Sequence, residues 1–93
     1  MTRREAYIHT RRPLFWSVAV DKLSSVSDEL LVETILNYGA MEDVRSLFDL
    51  LGLERTAAVF FKTTEGRTRD NYFPEVANFF RIYFNRHVRQ HPV

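Results

Sequence analysis

Two histidines, His87 and His91, stand four residues apart near the end of the chain. On a helix that spacing sets two imidazoles on one face, as a zinc ion requires. A bound metal needs a fuller set of oriented ligands, and no third ligand stands nearby in sequence; His91 also precedes Pro92, where a helix frays. His9 lies alone among arginines. No metal site is assigned. Glu29 with Glu33, and Glu42 with Asp43, have the right side chains for acid–base chemistry. Acidic pairs on a helix surface are solvated, however, and nothing around them promises the burial that raises a carboxylate pKa. Cysteine is absent, which removes thiol nucleophiles, Cys-based zinc sites and disulfides. There is no Ser-His-Asp order, nucleophile elbow or glycine-rich phosphate loop. The chain reads as a non-enzymatic protein with no catalytic residue, cofactor or small-molecule substrate.

Binding is the chemistry that remains. Of thirteen cations eleven are arginine, and the planar guanidinium suits contact with carboxylates, phosphates and aromatic faces. A formal net charge of +1 hides three blocks. Residues 1–12 carry Arg3, Arg4, Arg11 and Arg12 against Glu5 and read as a basic flexible arm. Residues 13–54 are acidic, with only Lys22 and Arg45 as cations. From Arg55 onward the balance is basic again.

The elements that must position these groups belong to one domain. The 93 residues are 45% apolar and 27% charged, a globular composition for a single unit with its own core. The longest apolar run, Ala57 to Phe61, is far short of the roughly 20 residues of a membrane span. Arg3 and Arg4 lead into polar residues rather than an apolar signal core, so a soluble, cytoplasmic protein is expected. The spacing predicts an all-α fold: a small four-helix bundle over 13–90, with an extended aromatic N-terminal segment, Pro13 to Val20, whose Phe15 and Trp16 plug the core. The first helix starts at Ser25 or Ser27 and ends at Tyr38, with Gly39 in the left-handed position after it. The second runs from Met41 to Leu51 and closes at Gly52. The third, Glu54 to Thr63, buries Ala57, Ala58, Phe60 and Phe61 and turns Arg55, Thr56, Val59, Lys62 and Thr63 outward. Thr64 to Asn71 is a loop. The last helix begins at Pro74, a favoured first position, and runs to His87.

The first and last helices are too broadly apolar. At about 100° per residue, the apolar side chains of each spread over roughly two-thirds of the circumference. A short chain has difficulty enclosing two such helices. Either the last helix is the central core helix with the other three packed around it, or it is the expected partner-binding surface, with Phe79 and Ile82 as apolar anchors and Arg81, Asn85 and Arg89 as a polar rim. The expected partner is a protein or a second copy of the chain, and not a membrane. The alternative is a nucleic-acid-binding regulator. Met41 to Lys62 has the spacing of a weak helix-turn-helix, in which Glu54, Arg55, Thr56 and Val59 would meet bases. Arg55, Lys62, Arg67 and Arg69 would then hold nucleic acid together with the arm.

Three stretches also resemble a family of small uncharacterised bacterial and archaeal proteins. They are Leu14-Phe15-Trp16; Leu36-Asn37-Tyr38-Gly39 leading into Met41-Glu42-Asp43-Val44-Arg45-Ser46-Leu47; and Asn78-Phe79-Phe80-Arg81-Ile82-Tyr83-Phe84. The resemblance covers most of residues 14–84. It departs from the family pattern at Ser17 and Ala40, where acids are usual, at Phe80, where tryptophan is favoured, and in a longer stretch from Thr64 to Phe73. Members of this family are described beside nucleotidyltransferase-type toxins of abortive-infection systems. The resemblance thus implies an antitoxin-like role.

Overall fold

A computed structural model describes residues 1–65 and 71–89. The described chain is all-α, with no strand. Five α-helices follow in order: α1 (Arg3–Thr10), α2 (Asp28–Tyr38), α3 (Met41–Leu51), α4 (Leu53–Thr64) and α5 (Pro74–Phe84). Two 3-10 turns, Arg12–Phe15 and Val20–Ser25, lie between α1 and α2, and a π turn, Asn85–Arg89, continues α5. No helix among the described residues is long and apolar enough to cross a membrane.

The first twelve residues differ from the basic arm that their charge suggests. Residues 3–10 are helical because Thr2 and Glu5 form a capping box: Thr2 Oγ1 accepts from the Glu5 amide at 3.1 Å, and Glu5 Oε1 from the Thr2 amide at 3.0 Å. Tyr7 and Ile8 on this helix are buried in the core. Two of the four arginines in residues 1–12, Arg4 and Arg11, anchor it, while Arg3 and Arg12 stay exposed. Arg4 Nη2 donates to Asp28 Oδ1 at 3.0 Å and to the Val26 carbonyl. Arg11 Nε donates to Asp43 Oδ1 at 2.9 Å.

The segment after α1 is not extended either. It coils into the two 3-10 turns, which satisfy backbone groups locally where no second strand exists to pair with. Phe15 and Leu23 enter the core, as does Val26. Trp16, expected beside Phe15 in the core, stands 73% exposed.

The core centres on α2. Leu31, Val32 and Ile35 are fully enclosed and Leu36 nearly so, with α3, α4 and the first 3-10 turn packed around the helix. Ser27 Oγ caps α2 by accepting from the Leu30 amide at 3.1 Å. Most of its broad apolar surface is thereby accommodated inside one chain, though Tyr38 at its end stays 46% exposed.

Gly39 and Gly52 act differently from each other. Gly39 is not left-handed; at φ −80° and ψ 157° its backbone is extended. It must be glycine because a Cβ there would lie 2.7 Å from the Ile35 carbonyl oxygen and 3.1 Å from Asp43 Cβ. Gly52, at φ 90°, is the residue that needs glycine's conformational freedom. It alone separates α3 from α4.

On α4 the buried face is rotated from the expected one. Thr56 and Val59 are inside with Ala57, Phe60 and Phe61, while Ala58 is exposed. Thr56 is neutralised for burial by donating its hydroxyl hydrogen to the Gly52 carbonyl at 2.8 Å.

Candidate interaction surface

The start of α5 is held by one side chain of α2. Asn37 Nδ2 donates to the Asn71 carbonyl at 3.0 Å, and Asn37 Oδ1 accepts from the Phe73 amide at 3.1 Å. Asn71 Nδ2 adds a bond to Glu33 Oε2 at 3.1 Å. Pro74 then begins the helix, where its missing N–H costs nothing.

Ala77, Phe80 and Phe84 form the inward face of α5. Phe84 meets Phe60 at a ring-centroid separation of 5.4 Å and Phe48 at 6.0 Å. Such tilted and edge-on contacts suit the aromatic quadrupole. Tyr83, half-buried, stacks on Phe48 at 6.0 Å and on Phe79 at 6.2 Å. A row of three rings therefore leads from α3 out to the surface.

The outward face keeps its apolar side chains in water. Phe79 is 50% exposed and Ile82 57% exposed. Glu75, Asn78, Arg81, Asn85 and Arg86 are exposed around them. Of the five residues expected to bind a partner, Phe79, Arg81, Ile82 and Asn85 stand on this outer side. Arg89 ends the π turn, and its side chain lies outside the described residues. The breadth of α5 is thus not absorbed by the core, whereas that of α2 is, apart from Tyr38 at its end.

A second exposed aromatic group was not apparent from sequence. Trp16 touches Tyr38 at 6.4 Å, and Tyr38 touches Phe73 at 5.5 Å, both edge-on. The sequence signal was the position of Tyr38 at the last residue of α2, beyond the final core turn. Trp16 also borders an open groove of about 580 Å³ lined by His9, Arg12, Phe15 and Leu23.

The residues of the nucleic-acid alternative are placed differently. Arg55 donates from both Nε and Nη2 to Asp28 Oδ2, and Lys62 Nζ lies 3.7 Å from Glu29 Oε2. Arg67 and Arg69 lie outside the described residues. Thr56 and Val59, expected to meet bases, are buried. The connection between α3 and α4 is a single glycine, against the three or four residues of a helix-turn-helix.

Asp28 and Tyr7, two titratable groups whose pKa is displaced, serve structural contacts. Hydrogen bonding from Arg55, and then from Arg4, holds the Asp28 carboxyl below its ordinary range despite a partial opposing effect of burial. Burial pushes the Tyr7 hydroxyl well above the usual tyrosine range; that hydroxyl donates to the Asp43 carbonyl at 2.6 Å. His87 packs against Tyr83 with 4.5 Å between ring centroids, and His91 lies outside the described residues. No group of three metal-ligating side chains occurs among the described residues.

Comparison of the chain with protein-family models, with curated proteins and with solved structures gives no match.

Proposed function

We propose that this protein is a non-enzymatic interaction module that docks through the outer face of α5. The observation that carries this reading is the pair Phe79 and Ile82, each at least half exposed on a helix whose opposite face is fully used by the core. Large apolar side chains left in water together, with a polar border, are the mark of an interaction surface. The Asn37 clamp supports the reading, since it fixes the orientation of α5 and so lowers the ordering cost of docking. An antitoxin-like accessory role follows from the resemblance stated above, and the expected partner of that kind is a nucleotidyltransferase-type toxin. The nucleic-acid alternative loses support where Arg55 and Lys62 are paired with carboxylates of α2.

Capture from a native host with the tagged protein and its Ile82→Asp variant tests the proposal. Specific partners should be held by the first and lost by the second, with both equally folded by circular dichroism. Identical captures from the two proteins would remove the docking role of α5. Co-expression with a nucleotidyltransferase toxin tests the finer reading, which requires growth to be rescued by the unaltered protein and not by the variant.

A further inference from the structure

The order of residues along the outer face of α5 and the π turn that continues it carries more than apolarity. Glu75, Phe79 and Ile82 on α5 and Arg86 in the π turn recur at intervals of four, three and four residues. These are the intervals of the two seam positions in a helical heptad. At about 100° per residue Glu75, Phe79 and Ile82 fall within a strip roughly 60° wide, and Arg86 follows one turn further on, in the π turn. All four are exposed. The strip is apolar at its centre, with an acid at one end and a base at the other. Neither Glu75 nor Arg86 has an ion-pair partner among the described residues.

A second copy of this strip fits the first in one direction only. Laid antiparallel about a two-fold axis between Phe79 and Ile82, each Phe79 meets the other copy's Ile82, and each Glu75 meets the other copy's Arg86. Laid parallel, Glu75 faces Glu75 and Arg86 faces Arg86, a like-charge arrangement that is disfavoured. The antiparallel arrangement is self-complementary, as an isologous two-fold contact demands. The flanks agree with it. Along α5 itself Asn78 borders the strip on one side and Tyr83 on the other, with the exposed Arg81 further round. We propose that α5 and the π turn after it pair antiparallel with the same segment of a second copy, through Phe79 against Ile82 and Glu75 against Arg86. A contact about three turns long belongs with small, reversible interfaces, those of less than about 1,200 Å² in total.

This inference rests on the reading of α5 as a docking face, and its test separates the two. Sedimentation velocity over roughly 5–500 µM, a range suited to weak contacts of this size, should show reversible monomer–dimer exchange. Glu75→Arg alone and Arg86→Glu alone should each weaken association about tenfold, and the double reversal should restore it to within about threefold, because the opposite charges then meet again. These side chains are exposed, and circular dichroism checks that each variant is folded. A monomer at every concentration overturns the pairing. So does self-association that the single reversals leave unchanged. If the chain stays monomeric while Ile82→Asp still releases a captured partner, only the second copy is excluded and the docking role of α5 survives. If Ile82→Asp alters neither self-association nor capture, both proposals fall.

Discussion

Arg11 reaches from the end of α1 to the start of α3, where its Nε donates to Asp43 Oδ1 at 2.9 Å. The same guanidinium lies 3.9 Å from the centroid of the Tyr7 ring, and the Tyr7 hydroxyl donates to the Asp43 carbonyl. The other oxygen of Asp43 accepts the Ala40 amide at 2.9 Å. One carboxylate therefore caps α3 and docks α1.

Removing that carboxylate should cost more than removing its partner. Asp43→Ala loses the cap and the ion pair together, about 2 kcal/mol, whereas Arg11→Ala loses the pair and the ring contact, about 1 kcal/mol. A double-mutant cycle read by urea denaturation should give a coupling of roughly 0.5 kcal/mol or more between them. Additive losses would show that Arg11 and Asp43 act independently.

Asp28 ties three helices, since it begins α2 and accepts from Arg4 of α1 and Arg55 of α4. Its folded pKa lies below the unfolded value of about 3.9. The carboxylate therefore contributes stability that is whole above that pH and is lost as the pH falls through the depressed folded value. Urea midpoints followed from pH 6 down to pH 2 should show Asp28→Asn less stable than the unaltered protein near neutrality and converging with it in acid. Parallel curves would refute this role for Asp28.

Gly39 and Gly52 should fail for different reasons. Any side chain at Gly39 meets the Ile35 carbonyl oxygen, so Gly39→Ala and Gly39→Ser should both cost about 2 kcal/mol through overpacking. Around Gly52 nothing lies within 4 Å of the added atom, and the cost there is the positive φ, about 1–3 kcal/mol. Thermal or urea unfolding of the alanine and serine variants checks both. A neutral Gly39→Ala would mean that the turn into α3 yields easily.

Asn37→Ala removes the two bonds that fix the entry to α5, with an expected loss of about 1 kcal/mol. Amide exchange should quicken first at Phe73, whose N–H loses its acceptor, and the core of α2 should be little affected. Uniform acceleration through α2 and α4 would instead show that Asn37 supports the whole fold.

The middle of the fold was largely legible. Ser27, Gly52 and Pro74 mark helix ends by local chemistry, and the observed bounds of α2, α3 and α5 lie close to the expected ones. Helix α1 was hidden because its arginines dominate the composition. Its signal was nevertheless present, as Thr2 and Glu5 at capping-box spacing before Tyr7 and Ile8. The phase of α4 departs from expectation at Thr56, Ala58 and Val59, where alanine and threonine set no clear phase and Val59 is carried inward by its neighbours Thr56 and Phe60. A hydroxyl bonded to the carbonyl one turn earlier makes Thr56 an acceptable core residue. The exposure of Phe79 and Ile82 followed from helical breadth, but which broad helix kept its face free depended on tertiary packing. Sequence periodicity does not say that α2 takes the centre.

The single indole of the chain bears on how any of this is measured. Trp16 is 73% exposed and touches Tyr38 rather than the core. Its fluorescence maximum in the native protein should already be close to that of a hydrated fluorophore, leaving little red shift to mark global unfolding. The emission is instead a local reporter of the Tyr38 edge, and of any molecule that settles over it.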